Sequence, residues 1–203
     1  SNSTSFGFAP KFKNFFIDQI TVKANLAAVD VDGILQFYNS DPKWGDGFTA
    51  GIKATFKSMG LQLQAAARFG RVSGFRYWYV EAKAIMPTGI PFMTGYAFYG
   101  AGVAAWYKMN VDMTGAKPSA TAAAGSSATS GAAMSPSKNI GLGFSIMAVL
   151  GATPDPARLN GDVGISAQFT SSGGISKLGV SGSLFMMASF ADRASAPIKG
   201  TMN

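Results

Sequence analysis

Apolar and polar residues alternate one for one through Phe48-Thr-Ala50-Gly-Ile52-Lys-Ala54-Thr-Phe56-Lys57. A period of two fits a β-strand with unlike faces and does not fit a helix, whose apolar stripe recurs every three or four residues. The same alternation returns in Ile20–Leu26 and in Leu61-Gln-Leu63-Gln-Ala65-Ala-Ala67-Arg-Phe69. Turn formers sit between the runs, at Asn39–Gly47, Met59-Gly60 and Gly70–Gly74, followed by the aromatic strand Phe75–Ile85. Regular turns between long alternating runs predict an antiparallel meander. The expected fold is all-β, a long-stranded meander forming a sandwich or an open, solenoid-like trough.

Further strands are expected at about 141–150, 161–169 and 178–187, with Val163, Ile165, Ala167 and Phe169 turned inward. Met86-Pro-Thr-Gly-Ile-Pro-Phe92 interrupts the ladder, because neither proline can donate a backbone hydrogen bond. Met93–Met109 is apolar at both phases, so its period alone leaves a doubly buried strand and a short buried helix open. Residues 1–16 read as an extended lead-in. Residues 114–138, rich in Ala, Ser, Thr and Gly, read as a flexible low-complexity loop within a single domain spanning 1–203. The opening residues Ser1–Ser5 show neither a basic nor an apolar signal region, and the chain is expected to be a piece of a larger protein.

Composition narrows function. The chain has no histidine and no cysteine, which removes the usual general base, the tunable thiol and the best ligands for zinc, copper and haem. No catalysis and no cofactor are expected. Asp30-Val-Asp32-Gly33 begins like a calcium loop, but its twelfth position is Asp41 where a bidentate Glu belongs. Asp46, Glu81 and Asp162 are the carboxylates a hydrolytic cleft would need to assemble, and nothing in their spacing brings them together. Charged residues make up only 13% of the chain, and mean hydropathy is +0.17. Such a chain rests against other protein or against lipid.

The net charge of +7 is concentrated in the middle, where Glu81 is the one acid between residues 51 and 111. Lys53, Lys57, Arg68, Arg71, Arg76 and Lys83 are expected to solvate the outer face of a hairpin. Arginines interleaved with aromatics can also stack and pair with anionic ligands. Arg68, Arg71, Arg76, Trp78, Tyr79, Lys83 and Trp44 therefore form the candidate surface for a glycan or other polyanion. Nucleic acid is the less favoured partner.

Tyr77-Trp-Tyr-Val-Glu-Ala-Lys83, Gly89-Ile-Pro-Phe92 and Gly95-Tyr-Ala-Phe-Tyr-Gly-Ala-Gly-Val-Ala-Ala-Trp-Tyr-Lys-Met109 resemble a β-rich segment of giant Bacteroidetes cell-surface proteins, adhesin-like and carrying fibronectin-like modules elsewhere. The likeness extends over about residues 20–190 in the order of its segments. It implies an extracellular or cell-surface structural module, in contact with neighbouring modules of the same polypeptide or filament. The alternative is a transmembrane β-barrel of an outer membrane, suited by the alternating segments and the aromatics. Under that alternative the mid-strand lysines and arginines are tolerable only if they point into the lumen.

Overall fold

The computed structural model describes residues 18–112, 132–190 and 192–202. Ten strands form one antiparallel sheet: β1 (Gln19–Asn25), β2 (Val29–Asp41), β3 (Gly45–Phe56), β4 (Leu61–Val72), β5 (Phe75–Met93), β6 (Tyr96–Tyr107), β9 (Ile140–Ala152), β10 (Leu159–Thr170), β11 (Ile175–Met186) and β12 (Ile198–Met202). They stand in chain order, so each strand pairs with its neighbours in the meander. The remaining two, β7 (Met109–Asp112) and β8 (Ala133–Pro136), form a small separate hairpin between β6 and β9. Among the described residues β1 and β12 each pair on one side only, and the sheet is open, not closed into a barrel.

Short turns fix the register. Ser73-Gly74 joins β4 to β5 with φ of 48° and 83°, the paired positive values of a two-residue turn whose twist matches the strands. Val72 therefore faces Phe75, Arg71 faces Arg76, and the pairing runs in step down to Gln62 and Ile85. The Pro87–Pro91 stretch stays within β5, but its pairing with β6 lapses between Ile85 and Ile90. That irregularity is what two prolines without N–H groups impose. Met93–Met109 resolves as the end of β5, β6 and the start of β7, strand and no helix. Most of the low-complexity segment and the lead-in lie outside the described residues, but Ala133–Pro136 pairs with Met109–Asp112 as strand.

One face is shielded and the other is open. On the shielded side hydrogen bonds leap across intervening strands: Tyr38 and Tyr77 hydroxyls meet at 3.0 Å from β2 to β5. Trp106 Nε1 likewise donates to Gln168 Oε1 at 3.1 Å, from β6 to β10. Side chains two and three strands apart touch only when the sheet curls toward them, because each strand adds about 4.8 Å. The result is a trough with a concave and a convex face.

Two inserts fill the trough. At one end the β7–β8 hairpin packs Met109, Val111 and Met134 onto Tyr77, Tyr79 and Trp106. At the other, residues after β11 cross the concave face: Phe190 packs against Tyr99 in a tilted ring pair at 5.1 Å, and Asn160 Nδ2 donates to the Ala188 carbonyl at 2.7 Å.

Candidate functional site

The hydropathy of the trough runs opposite to that of a water-soluble sheet. Cross-strand register lines up Val22, Gly33, Ile52, Ala65, Ala82, Val103, Ile146, Ile165 and Val180 in one row on the convex face. The next convex row reads Ile20, Leu35, Ala50, Ala67, Val80, Ala105, Phe144, Ala167 and Leu178. No polar side chain interrupts either. Val103, Ile146, Ile165 and Val180 are each more than half exposed. Isolated surface apolar residues are ordinary, whereas a contiguous apolar face over nine strands marks an interaction surface.

Aromatic residues bound this face at both ends. Phe37, Phe48, Phe69, Trp78 and Tyr107 stand side by side in register from β2 to β6, ending on Leu142 of β9. Neighbouring rings in that row lie 5.2 to 6.4 Å apart for Phe48–Phe69, Phe37–Phe48 and Trp78–Tyr107. At the opposite end Phe92 and Phe98 meet at 4.4 Å beside an exposed Tyr96. A register shift between Phe98 and Gly100 keeps Phe98 and Tyr107 on the same face. Their partners on β9, Leu150 and Leu142, are eight residues apart, about 27 Å along a strand.

Polar groups collect on the concave side. Lys23, Asp32, Lys53, Gln64 and Lys83 form one cross-strand row of alternating character. Gln64, Arg68, Glu81, Lys83, Asn160, Asp162 and Gln168 are all buried. Arg193, from the segment after β11, donates through Nε to Asn160 Oδ1 and through Nη1 to Asp162 Oδ2, both at 2.7 Å. Its guanidinium lies between the rings of Phe185 and Phe190, at 4.8 and 5.0 Å. Lys83 projects into the same region, where the charges of Asp162, Arg193 and Glu81 act on it.

The sequence-predicted surface divides between the two faces. Arg68, Tyr79 and Lys83 are buried on the concave side, and Trp44 packs against the cluster around Tyr77. The Arg68 guanidinium stacks 3.9 Å from the Trp44 ring and 5.7 Å from Tyr38. Arg71, Arg76 and Trp78 belong to the convex side, with both arginines exposed. One contiguous ligand patch of all seven is therefore corrected: strand alternation sends them in opposite directions.

The expectation that the basic side chains solvate an outer face is corrected for Arg68 and Lys83. The inward placement of Val163 and Ile165 is reversed as well, both being exposed. Alternation tells which residues share a face but not which face meets solvent. Of the three carboxylates considered for hydrolysis, Glu81 and Asp162 share the concave face, while Asp46 lies in the convex row of Arg71. Glu81 accepts a hydrogen bond from Tyr79 at 2.8 Å. In the calcium-like stretch Asp30 pairs with Lys57 at 2.9 Å, and Asp32 lies opposite both Lys23 and Lys53. Among the described residues no group of three His, Cys, Asp or Glu is placed to hold a metal ion.

Asn160, Gln168 and Arg193 escape sequence reasoning, as does the pairing of Asp162 with Arg193, since these side chains meet across tens of residues. Among the described residues no helix is long and apolar enough to cross a membrane. No family model, no curated protein and no solved structure matches the chain.

Proposed function

We propose that this chain is a membrane-embedded β-wall of an exported protein, its convex face against lipid and its filled concave face turned to a polar interior. The continuous apolar rows capped by aromatics at both ends carry this reading. Strands tilted by about 35–45° project a span of about 27 Å to roughly 19–22 Å, near the ~25 Å apolar band of outer-membrane barrels. Aromatic girdles at both interfaces are the companion signature. The polar partners of each alternating strand, Lys53, Arg68 and Lys83 included, point away from the lipid side.

The β7–β8 hairpin and the residues after β11 occupy the trough, which favours an anchor for a larger surface protein over an open pore. In hydrocarbon every backbone group needs a partner, so the free edges of β1 and β12 must be paired there. An exported surface assembly also accords with the resemblance to giant cell-surface proteins.

Purification in plain buffer and in detergent, each followed by light scattering and circular dichroism, tests the proposal. The expected result is aggregation in buffer and a monodisperse, β-rich species in detergent. A monodisperse β-rich species in buffer alone would overturn it in favour of a soluble adhesive or filament module whose apolar face is covered by neighbouring modules.

A further inference from the structure

The Ser73-Gly74 turn sets Arg71 of β4 directly opposite Arg76 of β5. Both point to the convex face, two residues beyond Phe69 and Trp78 on their respective strands, just outside the aromatic row. Like charges directly opposite on one face repel, normally at a cost to the sheet. Among the described residues neither guanidinium makes an ion pair or a side-chain hydrogen bond. The nearest carboxylate in register is Asp46, opposite Arg71, and its Oδ1 accepts from the Ser40 amide at 2.7 Å. The chain has thus held two arginines together, exposed and unneutralised, at the boundary of an apolar band.

We infer that Arg71 and Arg76 form a clamp for the phosphate of an anionic lipid headgroup. The inference rests on the membrane reading above and adds the ligand class. A phosphate has the charge that relieves the repulsion, and two guanidinium forks can share its oxygens with charge-assisted hydrogen bonds. Trp78 and Phe69 lie beside the acyl chains below it. Lysine or arginine just beyond an aromatic belt meets headgroups by position alone, but two arginines forced into register make a site for one phosphate.

Trp78 supplies the reporter, since Trp106 is buried within the trough and Trp44 packs into the concave cluster. The full chain in detergent micelles is titrated with dibrominated phosphatidylglycerol or dibrominated phosphatidylcholine, and quenching of tryptophan fluorescence is followed. Phosphatidylglycerol should be preferred by at least about tenfold, the size expected for two basic residues at an anionic surface. The preference should fall by roughly fivefold in Arg71→Gln or Arg76→Gln and vanish in the double variant. Lys57→Gln, at the opposite end of the strands, should retain it.

Quenching by both lipids without preference, or a preference that survives the double substitution, would overturn the clamp and leave the membrane wall standing. Loss of the preference on adding inorganic phosphate would assign the pair to a free anion and overturn the lipid assignment. Absence of quenching by either lipid would remove the membrane reading itself, and the clamp with it. Both arginines are exposed, so the glutamine variants should fold. Their circular dichroism should match the parent, and in uncharged detergent without anionic lipid their melting temperature should equal or exceed it.

Discussion

Ile165 puts the central question to a single side chain. It is 54% exposed in the middle of the convex face, flanked in register by Ile146 and Val180. In water an Ile165→Arg substitution at such a position costs little, within about 0.5 kcal/mol. In the hydrocarbon of a bilayer an arginine near the midplane of a barrel wall costs about 2–4 kcal/mol. The variant reconstituted in vesicles should unfold in denaturant with that loss, and an unchanged midpoint would place the residue in water. Arg193 poses the reverse case. It is the buried partner of Asp162, and removing one member of a buried ion pair leaves the other charge uncompensated. Arg193→Ala should cost about 3–5 kcal/mol, and Asp162→Asn with Arg193→Gln together should recover part of it, measured by the same denaturation.

At the scale of elements, the strands and turns from Phe48 to Ile85 follow from local chemistry, and each contact between distant strands does not. The alternation in Phe48–Lys57 and Leu61–Phe69 and the turns at Met59-Gly60 and Gly70–Gly74 predict β3, β4 and the start of β5, and the structure places strands there. Residues 93–109 stayed ambiguous because glycines and aromatics occupy both phases; the flanking strands settle it by hydrogen-bonding on both sides. The aromatic row was not legible. Phe37, Phe48, Phe69, Trp78 and Tyr107 become neighbours only when the register of four hairpins is fixed together.

The candidate surface shared that limit, since Arg68 and Arg71 look equivalent in sequence and face opposite ways. Gly143 shows how tightly register is enforced once it forms. It faces Trp106 across β9 and β6, and a Cβ there would lie 2.2 Å from the indole. Gly143→Ala should displace Trp106 from its bond to Gln168 and cost about 1–3 kcal/mol, as overpacking does. A red-shifted, more quenchable Trp106 emission should accompany the loss; a stable variant with unchanged emission would mean that the ring has room to move.

At the scale of the molecule, the decisive property is an inversion. A chain that is 47% apolar and 13% charged has placed its buried charges inside a trough and its branched aliphatics outside. Composition hinted at this through low charge and high hydropathy, but the inversion itself depends on which face curls inward. That curl follows from the bulky concave groups, Tyr77, Tyr79, Trp106 and Arg193 among them, finding partners across several strands. The open edges then separate the two environments the sheet can occupy. Both edge strands carry a lysine, Lys23 in β1 and Lys199 in β12, a residue type that deters edge pairing in water. In lipid an unpaired edge is untenable, because each unsatisfied backbone group costs several kcal/mol. The edges are compatible with circuit closure, since ten antiparallel strands leave β1 and β12 running in opposite directions. Hydrogen exchange on the protein in vesicles should therefore find the outward amides of β1 and β12 as slow as those of β5 and β6. Rapid exchange confined to the two edges would mean that they stay unpaired, and a sheet with unpaired edges cannot be standing in hydrocarbon.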